Sequence, residues 1–256
     1  MSFEFLAVDA ASATGRHVPI AHSPMEAQAR DAGARFERRD GWNVAVDYGD
    51  LAAERQSIET AGAWTDVSQL GKIELQAAPD ELMRLIASAG VAAAYPDGHG
   101  GFGLATRAAG AWWCPLTPER ALAICSPSRT AALRARLEDA ATEARGVASV
   151  VEVTTLYAAL TLSGPLVREI FARFCALDLR PQSTPLHGLR PGSVARTPGL
   201  VLREAEDRFL TLFGSALGEY MWTVVADAGE HLGARPVGVE ALAELDAAAS
   251  ETSADA

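Results

Sequence analysis

The chain has 256 residues, of which 49% are hydrophobic and 21% are charged, and this composition is typical of a folded globular protein. Its formal net charge of −11 opposes binding to nucleic-acid phosphates and to anionic lipid surfaces, so we expect neither nucleic acid nor a membrane as a partner. No apolar run reaches the roughly 20 residues that a membrane-spanning helix requires.

The cysteines and the first ten residues bear on the cellular compartment. Cys114, Cys125 and Cys175 are few, odd in number and without metal-ligand spacing, so we expect neither a disulfide nor a structural metal site. The opening sequence MSFEFLAVDA carries acidic residues where a secretory signal carries cations before a longer apolar stretch. The sequence therefore predicts a cytoplasmic protein.

The first part of the chain is predicted to be irregular and then to form one helix and one strand. Residues 1–22 lack a hydrophobic period and are predicted to be a loose lead-in, and residues 23–49 are predicted to be an irregular segment. Asp50 is a favourable N-cap and Gly62 a favourable helix terminator, so a helix is predicted between them. The apolar residues of 64–75 then predict one strand that enters a core.

Beyond this strand the same plan of elements occurs twice. Residues 72–90 have the pattern of a strand, a turn that contains Pro79 and an amphipathic helix, and residues 159–174 repeat this pattern 86 positions later, around Pro165. Because both the order and the spacing recur, the pattern indicates two copies of one unit.

A second pair of runs supports the duplication. Residues 119–140 and 207–228 each lead from a strand into a helix, and Arg120 and Arg208 are 88 positions apart. Each copy is expected to form a small antiparallel sheet with helices on one face, and one such sheet buries only one face well. We therefore expect the two copies to pack together.

Turn residues divide each copy into further strands. The predicted strands are Phe102–Arg107, Ala111–Leu116 and Arg120–Cys125 in the first copy, and Ser193–Thr197, Leu200–Glu204 and Arg208–Phe213 in the second. Residues 177–193 contain three prolines and two glycines and are predicted to be a long ordered loop. The last helix is predicted around 221–232, where apolar residues recur with a helical period.

Together these patterns predict an α+β fold of two related lobes of antiparallel sheet with helices. The predicted segments are a lead-in at 1–22, a first lobe at 23–146, a second lobe at 147–243 and an acidic flexible tail at 244–256.

No motif for a cofactor, a metal or a nucleophile has the neighbouring elements or the residue spacing that its chemistry requires. Gly98–Gly103 satisfies G-x-G-x-x-G, but it follows a Tyr-Pro-Asp turn and opens a strand, whereas a dinucleotide site follows a strand and opens a helix. The five histidines have no ligand spacing, and no Ser or Cys is paired with a nearby His. The sequence predicts a glycine-rich loop here, with no metal site and no catalytic residue.

Several short motifs in residues 23–72 occur in the order of a known family. They are Ser23-Pro24, Gly33-Ala34, Gly41-Trp42, Tyr48-Gly49, Ala61-Gly62, Asp66-Val67-Ser68 and Lys72. In this order they resemble the folate-binding part of the glycine-cleavage T-protein (aminomethyltransferase) family. The resemblance implies the T-protein-like folate-binding fold, here without the family's C-terminal barrel.

The resemblance also implies a tetrahydrofolate site for one-carbon transfer. The family places one acid beside the reacting nitrogens, a second acid on the donor edge of the pterin and an arginine at the glutamate tail. The first acid follows a Gly-Gly, but here Gly100-Gly101 leads into 102–105 without an acid. Thr197-Pro198-Gly199 stands where the motif of the second acid is expected.

The resemblance leaves three residues as candidates for a folate pocket. These are Tyr95, Trp113 and Glu204, an aromatic pair and an acid of the types that contact a pterin. Because the proton-moving acids of the family are missing, tetrahydrofolate is a candidate ligand rather than an expected cofactor.

The second half of the chain resembles a more specific relative. Residues 100–230 resemble the gamma subunit of heterotetrameric sarcosine oxidase, most distinctively at 160–165 (LTLSGP) and 177–181 (LDLRP). In such oxidases FAD, FMN, NAD and the folate site lie on other subunits. The resemblance therefore implies flavoprotein oxidase or demethylase subunits as partners and no cofactor held by this chain.

Two hypotheses of function follow. The first is a non-catalytic gamma-like subunit of a heteromeric flavin- and folate-dependent sarcosine oxidase, or of a related amine oxidase or demethylase, that supports assembly. The alternative is a tetrahydrofolate-binding, aminomethyltransferase-like one-carbon transferase or demethylase. Association with a flavoprotein and binding of tetrahydrofolate are the observations that distinguish them.

Overall fold

The computed structural model describes residues 19–91 and 103–254 of the chain. The strands are β1 (Ala21–His22), β2 (Arg35–Arg39), β3 (Trp42–Asp47), β4 (Ala63–Asp66), β5 (Gly71–Ala77), β6 (Thr106–Ala108), β7 (Ala111–Thr117), β8 (Arg120–Cys125), β9 (Ala148–Glu152), β10 (Tyr157–Ser163), β11 (Leu189–Val194), β12 (Thr197–Ala205), β13 (Arg208–Gly214) and β14 (Arg235–Pro236). The helices are α1 (Glu26–Asp31), α2 (Leu51–Thr60), α3 (Pro79–Ser88), α4 (Pro127–Thr142), α5 (Val167–Ala172), α6 (Gly218–Glu230) and α7 (Val239–Ala254).

Two large sheets face each other, and helices cover their outer sides. The five-stranded sheet has the order β6-β7-β8-β5-β9, and the six-stranded sheet has the order β11-β12-β13-β10-β4-β14. The apolar faces of both sheets meet in one core, where Trp112 and Ile124 of the first sheet pack with Leu202 and Leu210 of the second. Side chains on the opposite faces pack under α3 and α4 in the first sheet and under α5 and α6 in the second.

The order of the strands confirms the predicted duplication and the α+β class. The first sheet contains β6-β7-β8-β5 and the second contains β11-β12-β13-β10, which is the same order built from equivalent strands. In each copy one helix follows the first strand and another follows the last strand. The aligned residues also agree, since Arg120 begins β8 and Arg208 begins β13.

The strand that precedes each copy pairs with the sheet of the other copy. β9 comes just before β10 in the chain but pairs antiparallel with β5, and β4 comes just before β5 but pairs antiparallel with β10. The two lobes are therefore intertwined through an exchange of leading strands.

Matching hydrogen bonds stabilise the two places where these strands cross. Ala159 N donates to Ser68 Oγ at 3.1 Å, and Lys72 N donates to Thr154 Oγ1 at 3.1 Å. Ser68 and Thr154 are 86 positions apart in the sequence and are both buried. The duplication thus extends to side-chain hydroxyls that satisfy buried backbone N–H groups.

Replacing Ser68 with alanine is expected to lower the free energy of unfolding by about 1 to 3 kcal/mol, because the buried Ala159 N–H loses its acceptor. Thr154→Val should cause a loss of similar size at Lys72 N. Urea unfolding followed by tryptophan fluorescence measures both effects, with the exposed Ser128→Ala as the matched control. An unchanged free energy in both buried variants would contradict the assigned role of the hydroxyls.

The prediction of an irregular segment at 23–49 was wrong. The structure has α1, β2 and β3 there, and β1 pairs with β3 to complete a three-stranded sheet. β2 has the sequence RFERR, in which Arg35 and Arg39 both bind Glu37. These charges hide the alternation of apolar and polar residues by which a half-buried strand is usually detected.

The prediction of one strand over 64–75 was also wrong. The chain turns at 67–70, where Leu70 N donates to Val67 O at 3.0 Å, and β4 and β5 lie in different sheets. Val67 and Leu70 pack into the core between the sheets, so the turn is as apolar as the strands on either side of it.

Other boundaries differ by several residues. The loop predicted at 177–193 ends earlier, because β11 begins at Leu189, and Thr197 belongs to β12. The backbone is helical to Ala254, so α7 extends into the segment predicted to be a flexible tail. Phe102 lies outside the described residues, and the boundaries of the two lobes stay a prediction. None of the helices within 19–91 and 103–254 has the length and apolar character that crossing a membrane requires.

Candidate functional site

A cavity of about 280 Å³ lies between the two sheets and extends under the C-terminal helix. Strands of both copies contribute to it, with Trp112 from β7, Ile124 from β8, Thr161 from β10, Glu204 from β12 and Arg208 at the start of β13, while Leu242 comes from α7. The cavity therefore depends on the packing of both lobes.

An irregularity near the end of β12 brings an acid to this apolar interface. Leu200 and Leu202 pack between the sheets, whereas Val201 packs under the helices of the second lobe. The register of β12 with β13 shifts between Arg203 and Ala205, and Glu204 lies at this shift. It reaches the cavity at the point where the apolar stripe of β12 ends.

Side chains of the protein contact both carboxylate oxygens of Glu204. Trp112 Nε1 donates to Glu204 Oε1 at 3.1 Å. Arg208 Nε lies 3.6 Å from Glu204 Oε2, and the side chains of Glu204 and Arg208 are 11% and 18% exposed. The carboxylate therefore accepts an indole hydrogen bond on one oxygen and has a guanidinium near the other.

The indole of Trp112 is flanked by two further side chains. The guanidinium of Arg107 lies 5.3 Å from the centre of the Trp112 ring, a cation–π distance, and the imidazole of His187 contacts the ring edge-to-face at 5.0 Å. Burial, together with the nearby charge of Arg107, lowers the pKa of His187, so this imidazole is neutral at neutral pH. These groups give the cavity an aromatic wall with cations on two sides.

The chain matches a known protein family over most of its length. A family model described as the GCVT N-terminal domain matches residues 25–250. The chain belongs to the GCVT N-terminal domain family. The predicted resemblance to the T-protein family is thereby confirmed.

Curated proteins that are similar to this chain include aminomethyltransferases. The aminomethyltransferase of Saccharopolyspora erythraea is 26% identical over 218 residues, which cover 81% of this chain and 58% of that protein. A probable aminomethyltransferase of Halobacterium salinarum is 38% identical over 53 residues, which cover 21% of this chain and 15% of that protein. The chain thus spans less than two thirds of the length of these relatives.

Solved structures confirm the GCVT-type fold. The glycine cleavage system aminomethyltransferase T of Bartonella henselae aligns with a TM-score of 0.70 and 17% identity, over 87% of this chain and 60% of that chain. A chain of the heterotetrameric sarcosine oxidase of Corynebacterium sp. U-96 aligns with a TM-score of 0.60 and 21% identity, over 72% of this chain and 93% of that chain.

The three candidate folate-pocket residues have different positions in this GCVT-type chain. Glu204 lines the cavity, whereas Trp113 is fully buried on the opposite face of β7 and its Nε1 donates to Ala108 O at 3.2 Å. The neighbouring Trp112 is the indole that contacts Glu204. Tyr95 and the glycine-rich motif up to Phe102 lie outside the described residues. The assignment of a folate pocket stays a prediction.

Sequence reasoning missed Trp112 because β7 is apolar on both faces. Ala111 and Trp113 pack with the first lobe's helices, while Trp112 and Cys114 pack between the sheets. A strand that is buried on both faces has no polar alternation to show which side chain reaches which core.

Lys72 is a second buried ionisable residue, at the crossing of the exchanged strands. Its Nζ donates to Ser68 O and Leu70 O, each at 2.9 Å, and to Thr154 O at 3.4 Å. Burial lowers the pKa of Lys72 to about 8, while the nearby Asp66 acts to raise it. Burial also raises the pKa of Asp66, whose Oδ1 accepts from Ser68 N at 3.0 Å. Because three carbonyls use the Nζ protons, Lys72 joins the lobes rather than serving a ligand.

Proposed function

We propose that this chain is a non-catalytic, gamma-like subunit of a heteromeric flavin- and folate-dependent sarcosine oxidase, or of a related amine oxidase or demethylase, and that it supports assembly of the complex. The contacts of the Glu204 carboxylate carry this proposal. Among the described residues that line the inter-sheet cavity, it is the only carboxylate; Trp112 donates to one of its oxygens, and the Arg208 guanidinium lies 3.6 Å from the other.

An acid that moves protons during one-carbon transfer must reach the reacting nitrogen and exchange its proton easily. Glu204 instead has an indole N–H on one oxygen and a cation beside the other. Its carboxylate is therefore suited to hold the two sheets in register. This arrangement supports an assembly role better than a role in proton transfer.

A structural likeness supports a subunit, and the state of the cysteines agrees with the cytoplasmic location that the proposal includes. The likeness to a chain of a heterotetrameric sarcosine oxidase extends over 93% of that chain, which is the relation expected of a component that works inside such a complex. Cys114, Cys125 and Cys175 are free, as is usual for proteins of the reducing cytoplasm. Under this proposal FAD, FMN and NAD are held by flavoprotein partner subunits.

The proposal is tested by co-expressing the chain with flavoprotein subunits of amine oxidases and demethylases. We expect it to co-elute with such a subunit in size-exclusion chromatography, with flavin absorbance in the shared peak and none in the peak of the chain alone. A flavoprotein oxidase of another fold class is the matched control. Separate elution from every amine-oxidising flavoprotein tried would contradict the proposal.

The alternative function is a tetrahydrofolate-binding, aminomethyltransferase-like one-carbon transferase or demethylase, and the lining of the cavity supports it. The N–H edge of a pterin matches the Glu204 carboxylate, its ring matches the Trp112 indole, and the anionic tail matches Arg107. A volume of about 280 Å³ suits the pterin ring better than the whole cofactor.

Calorimetric titration with tetrahydrofolate separates the two functions. A subunit without a folate site should give no heat of binding at high micromolar ligand. If the alternative holds, the wild type binds and Glu204→Gln binds roughly tenfold or more weakly, because a charge-assisted hydrogen bond to the pterin is lost. Glu206→Gln, at a side chain that is 75% exposed, is the matched control.

A further inference from the structure

Most edge strands of the described sheets carry features that resist pairing with another chain. β1 and β14 have two residues each and β6 has three, β2 is dominated by charges, and β11 contains Pro191. Short length, charge and proline are the usual ways in which proteins protect an edge. β9 is the exception, since its five residues, ASVVE, include no proline and no glycine.

The charged residue of β9 does not protect this edge. Glu152 Oε2 accepts from Arg134 Nη1 at 2.8 Å, and Glu152 Oε1 accepts from Thr154 Oγ1 at 3.0 Å. Both contacts direct the carboxylate toward its own chain. The rest of the strand consists of alanine, serine and valine.

The backbone of β9 has hydrogen-bonding groups that point away from its sheet. Val153 N donates to Lys72 O at 2.8 Å, and the ladder with β5 continues antiparallel from there. Because bonding alternates along an antiparallel strand, Val151 and Ser149 direct their N–H groups to β5. Ala148 and Val150 therefore direct theirs outward.

The strand that is equivalent to β9 in the other sheet has a neighbour on its outer side, whereas β9 has none among the described residues. β4 is the equivalent of β9 in the other sheet, and β14 covers its outer side by pairing Arg235 with Ala63. Within residues 19–91 and 103–254, no strand takes the corresponding place beside β9.

The side chains along the edge are self-complementary. Val151 of β9 is 50% exposed, and Val147, the residue just before β9, is 91% exposed. If the extended backbone of β9 continues through Val147 in the pairing, Val147, Ser149 and Val151 share one face. If two copies of β9 run antiparallel with Ser149 opposite Ser149, Val151 of each lies opposite Val147 of the other. The same register sets Val150 opposite Ala148, which are the residues with outward backbone groups.

Because one register pairs both the outward backbone groups and the exposed valines, we infer that β9 pairs with β9 of a second copy of the chain. The two strands run antiparallel about Ser149 and form a two-fold symmetric dimer. The pairing joins two five-stranded sheets into one continuous sheet. With a two-fold axis at the strand edge, the same residues of both chains form the backbone hydrogen bonds, as an isologous interface requires. This inference does not depend on the function proposed above.

Sedimentation equilibrium of the full chain tests the dimer. We expect the wild type to dimerise and Val150→Pro to do so at least tenfold more weakly, because proline removes the N–H that faces the second copy. Proline at this position leaves the bonds to β5 intact but removes the packing of the Val150 side chain against the first lobe's core, so the thermal unfolding midpoint should fall modestly while the chain stays folded. Val151→Lys, which keeps every backbone group, should also weaken the dimer at least tenfold. Leu186→Lys changes an apolar side chain that is 51% exposed on another surface and should leave the dimer unchanged.

Two results would overturn the inference. The first is a wild type that is monomeric at every concentration; if its association with a co-expressed flavoprotein is also lost in Val150→Pro, β9 binds a different chain. The second is a dimer that neither β9 variant weakens.

Discussion

Replacing Lys72 with methionine is expected to lower the free energy of unfolding by roughly 3 to 5 kcal/mol, the usual cost of removing one partner from a buried charged group. Lys72 is the single lysine of the sequence and is fully buried. Methionine keeps the volume but leaves three buried carbonyls without their shared donor and removes the cation near Asp66. Urea unfolding of both proteins measures the loss.

An exposed ion pair provides the control for Lys72. Arg55 Nη1 lies 2.8 Å from Glu244 Oε2, the two side chains are 49% and 42% exposed, and Arg55→Gln is expected to cost no more than about 1 kcal/mol. Amine-reactive reagents give an independent readout, because Lys72 should be labelled only as the protein unfolds. Rapid labelling of Lys72 under native conditions would contradict its assigned burial.

The lowered pKa of Lys72 makes its contribution to the free energy of unfolding depend on pH. Its pKa is about 8 in the folded protein and about 10.5 when the chain is unfolded. Between these values the unfolded chain binds more protons, so the free energy of unfolding contributed by this group rises with pH. Below pH 8 the contribution is constant. The difference between wild type and Lys72→Met, measured by urea unfolding across this range, should therefore shift in favour of the wild type as pH rises.

Replacing Gly238 with alanine is expected to lower the free energy of unfolding by about 3 kcal/mol or more, because a methyl group at this position would overlap with the backbone of β3. The atoms it would meet are the carbonyl of Val46 and the amide nitrogen of Asp47, which cannot rotate away as a side chain could. Gly238 N also donates to Glu54 Oε2 at 2.8 Å, a bond that the displaced backbone would lose.

Gly214→Ala is the matched control for Gly238→Ala. An added methyl group there has no heavy atom within 4 Å, so its effect should stay within about 1 kcal/mol. Thermal and urea unfolding of the two variants measure the difference. Equal stability of both would show that Gly238 does not lie against the backbone of β3.

The sequence was most informative where local residues determine local geometry. Asp50 caps α2 as predicted, with its Oδ1 accepting from Ala53 N at 3.0 Å. The duplication was detectable because turn prolines and strand-opening arginines recur at nearly equal offsets. The exchange of β4 and β9 was not detectable, since pairing partners 71 to 100 residues apart leave no local pattern.

The cavity was predictable in part. Glu204 was identified as an acid near an expected motif, and the structure places it in the cavity. Its partners depend on which face of β7 and β13 meets the interface, and Trp112 and Trp113 are equivalent by composition alone. The role of Lys72 was hidden for a related reason, because its three acceptors are backbone carbonyls of two turns on different copies.

The exchange of leading strands has a consequence for the origin of the chain. A single ancestral unit would have had a leading strand without a neighbour and a β5-type strand with one bare side. Two separate ancestral polypeptides could have satisfied both needs by donating that strand to each other, as domain-swapped subunits do. Fusion of two copies of the gene would then have placed both strand exchanges within one chain. Neither half, expressed alone, would complete its own sheet.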